Sequence, residues 1–191
     1  MKKLLSLVCV AIFAVGAFAQ SQHLTFKGVP IDGTLKSYTQ KMVEKGFVYE
    51  GTQDGIALLS GDFAGQKKCY VAVSTLKGND LVNMIAVFFN SYDTWSAVLG
   101  QYEQLKEMLT EKYGEPENIR EEFTTHVYDD SDKLRAIHSG EYVWATTFST
   151  DKGDIELSIV EGEEYGSGRV MLRYFDKLNS EKVRQSAMDD L

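Results

Sequence analysis

The chain has 191 residues, of which 43% are hydrophobic and 12% aromatic, enough apolar mass for a packed core, so a disordered chain is excluded. Its 20 basic and 28 acidic side chains leave a net charge of −8, and no basic stripe with interleaved aromatics occurs. That excludes nucleic acid and anionic lipid surfaces as partners.

Lys2 and Lys3 precede an apolar run from Leu4 to Phe18, which closes on Ala17-Phe18-Ala19 before Gln20. A positive stretch, an apolar stretch and small residues ahead of a break form the layout of a secretory signal peptide cut after Ala19. A membrane span needs about 20 apolar residues. This run is shorter and meets Gln20, Ser21, Gln22 and His23 at once. Lipidation of Cys9 would need small residues just before it, where Leu7 and Val8 stand. The expectation is an exported protein, periplasmic or secreted, that loses residues 1–19. Residues 20–191 then form a single globular domain with no transmembrane segment and a charge moved from −8 to −10 by the loss of Lys2 and Lys3.

Cleavage leaves Cys69 as the one cysteine, so no intramolecular disulfide forms and packing alone must hold the fold. In Lys67-Lys68-Cys69-Tyr70-Val71-Ala72-Val73 the thiol shares parity with two valines, which places it on the inward side of a strand. No neighbouring base is evident to activate it, so it reads as structural.

Ile31-Asp32-Gly33-Thr34 opens the first helix, with Asp32 or Thr34 as the cap; Leu35, Tyr38 and Met42 follow at helical spacing and Gly46 stops it. Four strands are expected next, over Phe47–Glu50, Ile56–Asp62, Lys67–Leu76 and Leu81–Asn90. They are punctuated by Gly51–Gly55, Ala64-Gly65 and Lys77-Gly78-Asn79-Asp80. Such short connections favour antiparallel neighbours. The strongest helix follows: Asp93 or Thr94 caps it, Trp95, Val98, Leu99, Tyr102, Leu105 and Leu109 form its stripe, and Gly114 and Pro116 end it. A polar stretch up to Asp130 reads as a connection and the one internal boundary. Ser131 then caps a short helix through Ile137 and His138, stopped by Gly140. Strands are expected over Tyr142–Ser149, Ile155–Glu161 and Arg169–Phe175, the first two joined by Asp151-Lys152-Gly153. A weak helix from Asp176 carries Val183, Ala187 and Leu191 four apart.

This order predicts an α+β fold in which antiparallel sheet carries helices on one face. It suggests two tandem helix–sheet units, with candidate sub-units over 20–113 and 130–191. Glu44-Lys45-Gly46 and Glu111-Lys112-Tyr113-Gly114 echo each other at the two helix ends. A helix leading into a four-stranded antiparallel sheet, twice over, in a small exported protein resembles the β-lactamase-inhibitor-protein-like fold. Phe26-Lys27-Gly28-Val29-Pro30-Ile31-Asp32-Gly33-Thr34 and Lys112-Tyr113-Gly114-Glu115-Pro116 are also similar to segments of uncharacterised exported proteins of gut bacteria. The resemblance implies a binding surface on the sheet rather than an active site. The two disulfides of the inhibitor protein have no counterpart here, and no functional residue is carried over.

The residues offer no clear catalytic constellation. His23, His126 and His138 have no Gly-x-Ser-x-Gly turn to serve, and His138 at a helix end suits the helix dipole without any substrate. Asp129, Asp130 and Asp132, then Asp151 and Asp154, then Glu161, Glu163 and Glu164 cluster in turns, none with the offsets of a calcium loop. No cofactor, metal ligand or catalytic residue is therefore assigned. Gly162, Gly166 and Gly168 lie between strands rather than ahead of a helix, which excludes a phosphate loop. The best binding argument is aromatic: Tyr142, Trp144 and Phe148 share one side of a strand, with Tyr174 and Arg173 on the last strand. If open to solvent that side forms a contact patch for a protein or glycan; the competing reading packs it beneath helices. Arg169 and Arg173 opposite Glu156 read as cross-strand charge pairs. The expected function is a non-enzymatic binding module for a protein or envelope component, with Tyr142, Trp144, Phe148 and Arg173 as the binding face. The rival is a hydrolase using a carboxylate pair, and a third reading is self-assembly through an exposed edge strand.

Overall fold

The computed structural model of the chain describes residues 22–75 and 80–189. The export segment expected over 1–19, the turn expected at Lys77-Gly78-Asn79 with Leu76 before it, and Leu191 all lie outside the described residues. A small hairpin of β1 (Thr25–Phe26) and β2 (Val29–Pro30) leads to α1 (Leu35–Glu44). Strands β3 (Val48–Gln53), β4 (Ile56–Phe63), β5 (Gln66–Thr75) and β6 (Val82–Tyr92) follow, then α2 (Trp95–Tyr113). The chain continues through β7 (Asn118–Phe123), α3 (Asp130–Ser139), β8 (Tyr142–Thr150), β9 (Gly153–Glu161), β10 (Gly168–Asp176) and α4 (Lys177–Asp189).

The fold is α+β, as the periodicity predicts. All eight strands from β3 to β10 form one antiparallel sheet in the order β3-β4-β5-β6-β10-β9-β8-β7. The order is a mirror image about its centre: four strands run outward from β6 and four from β10. Tight turns produce this order. Asp54-Gly55 and Ala64-Gly65 each place both residues at positive φ, the geometry of a two-residue hairpin whose twist matches the strands it joins.

The helices form where their caps and stripes allow. Thr34, extended at φ −73° and ψ 155°, accepts the Ser37 N–H at 3.2 Å, so it rather than Asp32 caps α1. On α2 the predicted stripe is buried at Trp95, Val98, Tyr102, Leu105 and Leu109, while Leu99 is half-buried against the core. On α3 the cap is Asp129, which accepts the Asp132 N–H at 2.9 Å; Ser131 instead donates to the Asp129 carboxylate at 2.7 Å. Strand β7 corrects the sequence reading, which treated its residues as connection. Its sequence Asn-Ile-Arg-Glu-Glu-Phe is polar because β7 is an edge strand with little to bury.

Strand parity then sorts the sheet into two sides. One row in register is Tyr49, Leu59, Val71, Val87, Leu172, Leu157, Thr146 and Ile119, and its six inner members are buried. Tyr174 lies on this side and feels both Tyr38 of α1 and Tyr113 of α2, so both helices roof the same face. The roof joins a single apolar cluster that runs from Phe26 and Phe47 to Trp95 and Phe148.

A polar node fastens one end of the sheet. The buried Asp176 carboxylate accepts from Leu24 N at 2.8 Å, Asn179 N at 2.9 Å and the His23 ring at 3.0 Å. Asn179 Nδ2 in turn donates to Val82 O at 2.9 Å and to Ile31 O and Asp32 Oδ1 at 3.1 Å. Its donors meet groups that burial would otherwise leave unsatisfied.

Candidate binding face

The side of the sheet opposite α1 and α2 has its own rows. One runs Val48, Ser60, Tyr70, Phe88, Met171, Ser158, Ala145 and Arg120; the next runs Gly51, Leu58, Ala72, Ala86, Arg173, Glu156, Thr147 and Asn118. The two central strands supply its character. Residues two apart on a strand share a side, so β10 presents Arg169, Met171, Arg173 and Phe175 as one stripe.

Both guanidiniums are held by carboxylates and aromatic rings. Arg173 pairs with Glu156, its direct cross-strand partner, and lies 5.3 Å from the centre of the Phe175 ring. Arg169 reaches Glu163 at 3.3 Å and stands 4.8 Å over the Phe88 ring. Guanidinium over a ring gains about 0.5–1 kcal/mol at an exposed site. Between the two arginines sits Ser158, 6% exposed and paired with Met171 across the strands. The Ser158 Oγ, the Arg169 Nε and the Arg173 Nε are buried with no hydrogen-bond partner among the described residues. Leu58 and Tyr70 continue the apolar surface toward β4 and remain exposed. At one end α4 borders this face, leaving a cavity of about 410 Å³ between Asp154 and Phe175 on one wall and Ser180 and Arg184 on the other.

The residues expected to make the binding face are divided by this geometry. Tyr142, Trp144 and Phe148 do share a side of β8, but it is the roofed side. Phe148 is 1% exposed and belongs to the core. Trp144 stacks edge-on against Trp95 at 4.8 Å and meets Phe123 at 5.2 Å; Tyr142 donates its hydroxyl to Ile159 O at 3.0 Å. Burial pushes the Tyr142 phenol up, with the nearby Glu161 charge adding to the shift. Arg173 alone stands on the unroofed side. Period two shows which residues are neighbours on a strand, and only the helix placement shows which side is covered.

Cys69, His138, Asp129 and Asp132 have structural roles or partners. Cys69 is buried and burial raises its thiol, which disfavours the nucleophilic thiolate. His138 pairs with Glu161 and its ring meets Tyr165 edge-on at 4.4 Å. Asp132 pairs with Arg135 at 2.8 Å after its N–H has met Asp129. Hydrogen bonds from the Asp132 N–H and Ser131 hydroxyl hold the Asp129 carboxyl below its ordinary range. No group of three metal-ligating side chains converges among the described residues. Also among the described residues, no helix is long and apolar enough to cross a membrane. No protein-family model, curated protein or solved structure matches this chain.

Proposed function

We propose that the chain is an exported interaction module that docks a protein partner on the unroofed side of its sheet. The supporting observation is the β10 stripe: Arg169, Met171 and Arg173 project together from one of the two central strands on the side that α1 and α2 leave open. Arginine, methionine and aromatic side chains are the types enriched at the centres of protein interfaces. A partner carrying carboxylate or carbonyl groups would meet the accessible parts of the Arg169 and Arg173 side chains, which are 20% and 32% exposed. The roofed side supplies stability through its apolar cluster, so the stripe is free of that duty. The resemblance to the β-lactamase-inhibitor-protein-like fold implies the same use of the sheet.

The test is capture of a partner from envelope extract by the purified protein and by Met171→Asp and Arg173→Glu. Circular dichroism confirms that each variant is folded, and Arg120→Ala at the far edge of the same face serves as the control. Loss of the captured protein in both stripe variants and retention in the control are expected. Equal capture by all four proteins defeats the reading. Intact mass of protein recovered from the envelope reads the export step, with cleavage after Ala19 as the expected product.

A further inference from the structure

The two edges of the sheet are unlike. An edge strand exposes a row of unpaired N–H and C=O groups and is normally guarded by charge. Edge β7 carries Arg120, Glu121 and Glu122 in succession. Edge β3 has one charge, Glu50, whose carboxylate accepts the Ser60 hydroxyl on the unroofed side. It leaves Val48 60% and Tyr49 48% exposed.

Beside β3, on the roofed side, runs a groove of about 530 Å³. Leu35, Thr39 and Val43 of α1 form one wall, and Tyr49 and Thr52 of β3 form the other. The Tyr49 hydroxyl and Thr52 Oγ1 lie 2.7 Å apart and hold that wall in place. Thr39 Oγ1 is buried on the helix wall with no hydrogen-bond partner among the described residues. One end of the groove holds the Lys36 ammonium. Lys36 makes no ion pair among the described residues, and the first turn of α1 has no acidic side chain. Asp80 stands there too, but one of its oxygens accepts the Leu35 N–H at 3.0 Å.

We infer that this groove takes an extended segment of a partner protein, added as a further strand on β3, with an aliphatic side chain against Leu35 and Val43 and a carboxylate beside Lys36. Strand addition supplies affinity through main-chain hydrogen bonds and specificity through alternate side chains that enter a flanking pocket. A carboxylate is the complement of a lysine that makes no ion pair among the described residues. The bulge between Tyr49 and Gly51 interrupts the edge, so the added strand is short. This site shares no residue with the β10 stripe.

The experiment is selection of hexapeptides from a random library on the purified protein, followed by hydrogen exchange of the protein with the best peptide bound. Enriched peptides are expected to pair an acidic residue with an aliphatic one two positions away and to slow exchange of amides in Val48–Gln53. Val43→Lys, at an exposed helix position, should weaken binding at least tenfold. Lys36→Glu should turn the preference from acidic to basic peptides. Absence of enriched peptides, protection confined to β10, or an acidic preference unchanged in Lys36→Glu overturns the inference. So does a concentration-dependent dimer that protects Val48–Gln53, which would make a second copy the occupant.

Discussion

The half of the sheet from β3 to β6 and the half from β7 to β10 reach the same strand order with different roofs. In the first half α1 has 10 residues, so it spans about 15 Å. That is too short to cover strands of 8 to 11 residues, and the β1–β2 hairpin completes the roof with Phe26, which stacks on Phe63 at 5.1 Å and meets Phe47 and Tyr174. In the second half α2 has 19 residues, about 28 Å, and needs no such help. Its start is anchored by Trp95 on Trp144 and Phe123, and α3 packs beside it. The topology repeats while the residues that cover it do not. What is shared is the need to bury one side of four strands, and each half meets that need with the segments nearest in sequence.

The largest expected effect is at the turn that begins β9. Gly153 lies at φ +146°, and a Cβ there would stand 1.9 Å from the Phe175 carbonyl oxygen. Backbone cannot yield as a side chain can, so Gly153→Ala should cost more than about 3 kcal/mol in urea unfolding. The first half has a milder counterpart: a Cβ on Gly61 would meet the Phe47 ring at 2.6 Å. A ring can turn aside, and Gly61→Ala should cost about 1–3 kcal/mol. Equal losses at the two glycines would break the distinction between the halves.

Between those two in size come Phe26→Ala and Trp95→Ala, each expected to cost about 3–4 kcal/mol through a cavity under its own half of the roof. The apolar cluster is continuous across both halves, so each variant should unfold in a single calorimetric transition. A split transition in either would show the halves to be separate cooperative units.

How much of this could be read from the sequence follows from what each pattern encodes. The stripes of α1 and α2 and the Ala64-Gly65 turn were legible, because period and turn chemistry are local; the turn expected over Gly51–Gly55 narrows to Asp54-Gly55, since β3 runs on to Gln53. Strand β7 was not, since Arg120, Glu121 and Glu122 mask an edge strand whose pairing with β8 is long-range. At the site, Glu156 opposite Arg173 was readable as a cross-strand pair and is one. Tyr142, Trp144 and Phe148 drew attention as aromatic residues on one side of a strand. Their side is the covered one because α2 begins with Trp95, a contact between residues far apart in sequence. The informative signal was the opposite parity on β10, where Arg169, Met171, Arg173 and Phe175 alternate with Val170, Leu172 and Tyr174. The apolar set marks the core, so the arginine set marks the open side.

The smallest effect sharpens the comparison at the seam, where β6 begins and β10 ends. Burial works against the charged form of Asp32, but hydrogen bonds from the Asn179 side chain and the Gly33 N–H, with the charges of His23 and Lys182, outweigh it. Its carboxyl is therefore held below the ordinary carboxylate range. A carboxyl depressed by folding stabilises the native state above its unfolded pKa, and that contribution disappears as pH falls through the folded value. The Asp32 side chain is 43% exposed, so solvent screening limits the contribution to less than about 1 kcal/mol. Asp32→Asn should be slightly less stable than the native chain at pH 7, and the gap should close in urea titrations run from about pH 4 downward. A gap that persists unchanged into strong acid would mean that the Asn179 contacts to Ile31 and Val82, rather than the Asp32 charge, carry the fastening of the two halves.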